Sequence, residues 1–194
     1  LPDINLMNQS FSDLFILYQP KDIVSGDFYS FAQRDEKVMI AAADCTGHGV
    51  AGAFMSMIGI ALINQIINEK GTTEPSIILE QLNEGIITAL KQRKSEMNEG
   101  MDIAFCTIDK KNGNMQFSGA NRPLWLIRNK EFLSFKPTKM PIGGQQVNKS
   151  EGFLQHHINL QPGDALYLFT DGYADQFGGE KGKKFMIKNL RETL

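Results

Sequence analysis

The stretch GDFYSFAQRDEKVMIAAAD, residues 26–44, predicts two β-strands joined by a polar turn. Residues 27–33 and 38–44 are the two strand candidates, and residues 34–37 form the turn. If the turn contains an even number of residues, paired positions sum to 71, and Asp27 lies opposite Asp44. Directly opposed carboxylates destabilise a sheet, with Cβ atoms about 5 Å apart. The end of this hairpin therefore needs a proton or a cation.

A third aspartate follows another apolar run. Asp171 comes directly after residues 165–170, ALYLFT, and precedes a glycine. The sequence alone does not bring Asp171 to the first pair, and a single Asp-Gly after a strand is often only a turn. Three carboxylates at the ends of apolar strands nevertheless favour a hard divalent cation. Magnesium or manganese suits an all-oxygen ligand set better than zinc does, and hydrolysis of a phosphate ester is the chemistry such a site performs.

Composition limits the classes of protein that need to be considered. The chain has 194 residues, 42% hydrophobic, and a net charge of −2, so we predict one globular domain over residues 1–194 and no nucleic-acid partner. No signal peptide is visible, no apolar run reaches about 18 residues, and the leucine start predicts a domain from a longer protein. Cys45 and Cys106 are far apart, which favours two ordinary thiols in a reducing cytoplasm.

The remaining pattern predicts an α+β fold rather than alternating strands and helices. Apolar positions spaced by four residues give the second of two helices a packing face. The predicted strands are 14–18, 27–33, 38–44, 103–109, 115–118, 124–128, 132–135, 152–160 and 165–170, and the predicted helices are 50–68, 75–94 and 184–194.

Two other activities can be weighed against the metal site. Residues 47–52 match the glycine pattern G-x-G-x-x-G of dinucleotide-binding loops. However, Asp44 lies where pyrophosphate would bind, and a helix rather than a strand follows. A cysteine phosphatase needs an arginine six residues after its nucleophile, and Ala51 and Asn112 occupy those positions after the two cysteines. His48 remains a candidate proton donor or phosphate contact, with a loop histidine bonded to backbone as the alternative.

Four motifs, in order, resemble those of the SpoIIE/RsbU-like serine phosphatases, the bacterial branch of the metal-dependent protein phosphatases related to protein phosphatase 2C. They cover most of the chain: residues 20–29, PKDIVSGDFY; residues 43–50, ADCTGHGV; residues 118–124, SGANRPL; and PGD at 162–164 with LFTDG at 168–172.

The resemblance implies two packed antiparallel β-sheets flanked by helices, an αββα sandwich. It implies two Mn²⁺ or Mg²⁺ ions held by the catalytic residues Asp27, Asp44 and Asp171, together with the backbone carbonyl of Cys45. Asp44 would bridge the two ions, Asp27 would hold one and Asp171 the other. A metal-activated water would then hydrolyse phosphoserine or phosphothreonine.

The family also suggests partners and regulation. Its substrates are often phosphorylated anti-sigma-factor antagonists, and upstream sensor domains or homodimerisation act through the helix pair 50–69 and 75–94. We therefore expect a cytoplasmic domain, either free or belonging to a membrane-tethered sensor protein.

The chain also departs from the family pattern. Family members usually end in a further strand that carries another metal ligand, and a chain ending at Leu194 lacks it. We expect such a chain to bind metal weakly or to be inactive. No arginine clearly matches the one that grips phosphate in the eukaryotic relatives. Lys21 is a guess for that role, beside Gly47 and His48 in the glycine loop. Asp102 lies near where relatives hold an extra metal, although a turn residue is the simpler interpretation.

Two hypotheses follow for the function. The first is a Mg/Mn-dependent protein serine/threonine phosphatase. The second is a non-catalytic pseudo-phosphatase that binds the phosphoprotein without hydrolysing it. The intact aspartates favour the enzyme, and turnover by the full-length protein would discriminate between the two.

Overall fold

The computed structural model describes residues 2–94, 97–144, 152–180 and 182–194. Its helices are α1 (Ile4–Asn8), α2 (Gly49–Asn64), α3 (Pro75–Ala89) and α4 (Ile187–Thr193), with a π-helical turn at Gln65–Glu69 and a 3₁₀ turn at Gln92–Lys94. Its strands are β1 (Phe28–Arg34), β2 (Lys37–Cys45), β3 (Gly100–Asp109), β4 (Asn114–Ala120), β5 (Leu124–Arg128), β6 (Glu131–Phe135), β7 (Ile142–Gly143), β8 (Gln155–Asn159), β9 (Ala165–Tyr167), β10 (Phe177–Gly178) and β11 (Lys183–Lys184).

The larger sheet begins with the hairpin on which the sequence analysis depends. Phe28 pairs with Ala43 and Arg34 pairs with Lys37, so paired positions sum to 71 and the turn has two residues. The first turn residue, Asp35, has φ 52°, a conformation that aspartate and asparagine tolerate better than most residues. The predicted register is confirmed. Asp27 lies one residue before the first pair of the ladder. If the same register is continued by one residue, Asp27 lies opposite Asp44.

Two antiparallel sheets form the centre of the fold. The larger one has the order β1-β2-β3-β4-β8, with β7 on the end of β3, and the smaller one has the order β6-β5-β9. Buried side chains between the sheets include Phe117, Leu124 and Leu126. The opposite face of the larger sheet packs against α2 and α3 through a second cluster that includes Phe105, Ile63 and Leu82.

Helix α4 lies on the outer side of the smaller sheet. Trp125 packs against Phe132 and Phe169 on that side, and the guanidinium of Arg191 in α4 lies 4.2 Å from the centre of the Phe132 ring. The layers are therefore helix, sheet, sheet and helix. The α+β sandwich expected from the sequence is confirmed.

The predicted face of α3 is also confirmed. Ile78, Leu82 and Ile86, spaced four residues apart, are all fully buried. Pro75 begins the helix at its first turn, where the missing N–H costs nothing. The helix ends at Ala89, so the predicted extension to residue 94 is wrong, and a separate 3₁₀ turn lies at Gln92–Lys94.

Three strand predictions need correction. Residues 14–18 form no strand in the structure, and Phe15 is 84% exposed. An apolar run becomes a strand only where a sheet edge accepts its backbone hydrogen bonds, and the run does not reveal whether such an edge exists. Strand β9 ends at Tyr167 rather than residue 170, and β8 begins at Gln155.

Helix α2 overturns one expectation from composition. Together with its π-helical turn it spans Gly49–Glu69, 21 residues with mean hydropathy 1.9, which is long and apolar enough to cross a membrane by those criteria alone. Met55, Ile63 and Ile66 of this segment are buried in the core. Burial in the core explains only part of its apolar composition, because 39% of the segment is buried and Val50, Phe54 and Met57 are 67%, 61% and 65% exposed.

The α3 face predicts a clear difference between two substitutions. Leu82→Ala should lower the free energy of unfolding by about 2 to 5 kcal/mol, because it removes a fully buried side chain and leaves a cavity. Ile77→Ala on the same helix is the control, since Ile77 is 37% exposed. Urea denaturation of both variants measures the difference. Equal losses would show that α3 does not pack in this orientation.

Candidate metal centre

Asp27 is held in place by three hydrogen bonds at the start of β1. Its backbone N–H donates to the Ser25 hydroxyl at 3.0 Å, and its carbonyl accepts from the Tyr18 hydroxyl at 3.1 Å. The Thr170 hydroxyl donates to its carboxylate at 2.7 Å. Thr170 directly precedes Asp171, so this hydrogen bond brings the residues that follow β9 to the start of β1. The structure thus brings Asp171 to the predicted pair.

Asp44 faces a second aspartate across the sheet. In the β2–β3 ladder, Asp44 pairs directly with Asp102. The interpretation of Asp102 as a turn residue is therefore wrong, because Asp102 lies within β3. Like charges opposed in this way are destabilising, and the repulsion adds to that between Asp44 and Asp27. Four carboxylates gather at this end of the sheet.

Arg122 enters the middle of this acidic cluster, which we define as Asp27, Asp44, Asp102 and Asp171. Its Nη2 donates to the carboxylates of Asp44 and Asp171, the latter at 2.8 Å. Its Nε lies 3.7 Å from the Asp102 carboxylate. The Arg122 side chain is only 14% exposed. One guanidinium therefore offsets part of the charge of three of the four carboxylates.

The loop between β4 and β5 positions Arg122. The neighbouring Asn121 has φ 57° and donates through its side-chain amide to Asp102 at 2.8 Å. The Arg122 N–H donates to the Ala120 carbonyl at 2.7 Å, and the Asn121 N–H donates to the Thr138 carbonyl at 2.9 Å. The sequence analysis quoted this Asn-Arg-Pro segment but assigned no role to Arg122. Its signal was a charged residue between two apolar strands.

The acidic cluster shifts the pKa values of its members. Burial raises the pKa of Asp44 to about 7, with further contributions from the charges of Asp27 and Asp171, and Arg122 only partly opposes this shift. Burial disfavours the charged form of Arg122 and by itself lowers its pKa. The hydrogen bond to Asp171 and the charges of Asp171, Asp44 and Asp102 outweigh burial, so the pKa of Arg122 is raised. Negative charge is therefore in excess, and the site stabilises cations.

The donor set fits a hard divalent cation by its chemistry. All four side chains offer carboxylate oxygens, the ligands that Mg²⁺ and Mn²⁺ prefer. Within the described ranges, however, no three Asp, Glu, His or Cys side chains lie close enough together to hold one ion. Arg122 lies between two of these carboxylates, because its Nη2 bonds both Asp44 and Asp171.

The glycine loop after β2 packs tightly against the start of β1. A Cβ on Gly52 would lie 2.7 Å from the Gly47 carbonyl oxygen and 3.1 Å from the Cα of Gly26. A Cβ on Gly26 would lie 3.2 Å from the carbonyl oxygens of Cys45 and Gly47. Close backbone contact therefore explains Gly52 of the G-x-G-x-x-G match, and positive φ angles of 88° and 60° explain Gly47 and Gly49. The close contact also places the Cys45 carbonyl beside the residue that precedes Asp27.

The predicted substrate-binding residues lie outside the acidic cluster. Lys21 is exposed in the loop before β1, and His48 is exposed at the N-terminus of α2, where its side chain makes no capping hydrogen bond. Gly47 has φ 88° and lies in the glycine loop. Among the described residues, hydrogen bonds to the cluster carboxylates come from Thr170, Asn121 and Arg122.

Neither cysteine thiol is suited to nucleophilic attack. Cys45 and Cys106 are free and buried. Burial, together with the charges of Asp44 and Asp27, raises the pKa of Cys45 to about 12, and burial raises the pKa of Cys106 still further. A thiolate is therefore disfavoured at both positions, in agreement with the sequence analysis.

Solved structures share this fold. The SiaA-PP2C domain of Pseudomonas aeruginosa is similar to this chain with a TM-score of 0.81 and 31% identity, over 93% of this chain and 69% of that chain. RsbX, solved in complex with magnesium, has a TM-score of 0.61 and 15% identity, over 91% of this chain and 82% of its own. The fold is that of the PP2C-like phosphatase domains.

The comparison of sequences narrows the class to a family. The family model of Stage II sporulation protein E (SpoIIE) matches residues 34–194. Phosphoserine phosphatase RsbU of Bacillus subtilis (strain 168) is 31% identical over 172 residues, which cover 84% of this chain and 47% of RsbU. The chain therefore belongs to the SpoIIE family. It spans about half the length of this curated relative.

The close packing at the glycine loop predicts that alanine is less well tolerated at Gly52 in α2 than at Gly85 in α3. Gly52→Ala should destabilise the protein by about 1 to 3 kcal/mol, because the new methyl group meets the backbone at Gly47 and Gly26. That cost exceeds the gain of about 1 kcal/mol in helix propensity.

Gly85→Ala in α3 is the matched control. There the Cβ would meet only the tip of the flexible Leu62 side chain, at 3.0 Å, so we expect stability to be unchanged or higher. Thermal and urea unfolding measure both variants. A Gly52→Ala variant as stable as the wild type would mean that the loop does not pack in this way.

Proposed function

We propose that this chain is a divalent-metal-dependent phosphatase that acts on phosphoserine or phosphothreonine in a partner signalling protein. The observation that carries the proposal is the acidic cluster, whose negative charge exceeds that of its single guanidinium. Membership of the SpoIIE family supports the same function, as does the similarity to a phosphoserine phosphatase.

The acidic cluster supplies the residues for two Mg²⁺ or Mn²⁺ ions. In the proposed site Asp44 would be shared by both ions, Asp27 would hold one and Asp171 the other, and the backbone carbonyl of Cys45 would be a further ligand. The structure of RsbX with magnesium supports a divalent ion in this fold. When bound, such ions lower the pKa of a water molecule and neutralise charge on the phosphate.

The protein's own residues orient these groups. Thr170 and the backbone contacts of Asp27 fix the Asp27 carboxylate before any substrate arrives. A preorganised carboxylate needs little rearrangement during the reaction, which is how such sites lower barriers. The raised pKa of the Cys45 thiol leaves it protonated and removes a competing nucleophile.

We assign substrate contacts to the exposed edge of the site. His48 and Gly47 lie at the N-terminus of α2, where free backbone N–H groups and the helix dipole favour an anion such as phosphate. Lys21 is exposed six residues before Asp27 and offers a mobile positive charge. All three remain predictions.

The partner and the setting are part of the same proposal. We propose a phosphorylated protein substrate such as an anti-sigma-factor antagonist, and an upstream sensor domain in the full-length protein. We also propose regulation through homodimerisation and a cytoplasmic location. The relation to RsbU supports a role in signalling, because RsbU is named as a phosphoserine phosphatase.

Substitution of Asp44 tests the function directly. Full-length protein with Mn²⁺ should hydrolyse a generic phosphate ester and a phosphoserine peptide, and excess chelator should abolish the turnover. Asp44→Asn should lower kcat/KM by about two orders of magnitude or more, because it removes the charge at the centre of the site. Steady-state kinetics measure the effect.

Asp35→Asn is the matched control, since it makes the same chemical change at the other end of the hairpin, where asparagine tolerates the φ of 52°. It should retain wild-type turnover. If folded, metal-loaded, full-length protein binds the phosphopeptide without hydrolysing it, the chain is a binding module instead.

A further inference from the structure

Arg122 bonds the same carboxylates that we assign to the divalent ions. Its Nη2 contacts both Asp44 and Asp171, and a carboxylate oxygen that accepts this hydrogen bond has less electron density to offer a metal. We propose that Arg122 is a built-in counter-ion, which a divalent cation must displace from Asp44 and Asp171, and which therefore sets the metal affinity of the site. This inference rests on the metal-dependent function proposed above.

The hydrogen bonding of Arg122 is incomplete for a purely structural arginine. Its buried Nε has no hydrogen-bond partner in the described structure, and the Asp102 carboxylate lies 3.7 Å from it. A buried donor without a partner destabilises the folded state. The position of the Arg122 guanidinium in the acidic cluster therefore lowers the stability of the folded protein in this one respect.

Arg128 shows what a structural arginine looks like in the same fold. Its Nε and Nη2 donate to the two oxygens of Asp164 at 2.8 and 2.6 Å, and Nη2 also donates to the Asn159 carbonyl at 2.9 Å. This fork-to-fork geometry is the strong form of the arginine–carboxylate pair. Arg122 forms no such fork in the described structure, because the same nitrogen, Nη2, donates to Asp44 and to Asp171.

The backbone around Arg122 is fixed, so the side chain alone can move. The N–H groups of Asn121 and Arg122 are both hydrogen-bonded to carbonyls, and Pro123 fixes its own φ and restricts the backbone of Arg122 before it. Rotation of the Arg122 side chain is then sufficient to release Asp44 and Asp171. Release leaves the four carboxylates to repel one another, and a divalent cation in their midst removes that repulsion.

Competition of this kind makes a definite prediction for metal binding. A metal that must first displace Arg122 binds with an affinity lowered by the strength of the arginine contacts. We expect Arg122→Gln to bind Mn²⁺ about tenfold more tightly than wild type, equivalent to about 1.4 kcal/mol. Arg122→Lys keeps the charge but not the planar fork, and we expect an intermediate affinity.

Isothermal titration of chelator-treated, full-length protein with Mn²⁺ measures these affinities without any turnover. Lys139→Gln is the control for a general charge effect, because Lys139 is an exposed residue next to Thr138, which contacts Asn121. Its affinity should stay within about twofold of wild type, since exposed charges are screened.

Thermal unfolding provides a second measurement. Without metal, Arg122→Gln should unfold at a lower temperature than wild type, because the acidic cluster has lost its counter-ion. Addition of Mn²⁺ should raise its unfolding temperature by more than it raises that of wild type. A variant that folds only when Mn²⁺ is present would support the inference in the same way.

Two results would overturn the inference alone. One is wild-type protein that binds Mn²⁺ while Arg122→Gln binds it equally or more weakly. The other is a Lys139→Gln variant that gains as much affinity as Arg122→Gln. If neither wild type nor any variant binds Mn²⁺, the metal-dependent function fails and the inference fails with it.

Discussion

Repulsion among carboxylates at one end of the larger sheet is the constraint on which the site depends. Asp44 faces Asp102 across the β2–β3 ladder and lies at the open end of the hairpin that carries Asp27. Asp171 arrives from the second sheet. Such a cluster destabilises the fold unless a cation offsets it, and charge clusters of this kind are typical of functional sites. Arg122 supplies part of the compensation.

Three parts of the fold bring the four carboxylates to the same end of the larger sheet. The β1–β2 hairpin places two carboxylates by its register, and β3 adds a third by pairing with β2. The segment after β9 adds the fourth, fastened by the Thr170 hydrogen bond to Asp27. The glycine loop packs closely enough on Gly26 to keep α2 beside the same edge. Because each part belongs to a different element, the site exists only when both sheets are assembled.

Two arginines in the same fold differ in how completely their guanidinium groups are hydrogen-bonded. Arg128, at the end of β5, forms a fork with Asp164 and also donates to a backbone carbonyl. Arg122 lies among several carboxylates with its buried Nε unpaired. The hydrogen bonds of Arg128 stabilise one position of its side chain, whereas the unpaired Nε of Arg122 favours movement of its guanidinium. Residue type alone does not distinguish them.

Local pattern was sufficient for those features that depend on neighbouring residues. The hairpin register follows from a two-residue turn, and the buried face of α3 follows from a four-residue repeat, since both are set by contacts within one or two elements. The family motifs likewise identified the three aspartates. The run at 14–18 failed as a strand because strand formation requires a partner edge elsewhere in the chain.

Tertiary structure decided how the site is assembled. Arg122 and Asp44 are separated by 78 positions, and Thr170 and Asp27 by 143. The pairing of Asp44 with Asp102 depends on where β3 aligns along β2 after two intervening helices. No periodicity within a strand encodes such distances, because they result from the packing of whole sheets. The sequence by itself therefore singled out three carboxylates as candidates, whereas only the folded chain placed Asp102 and Arg122 beside them.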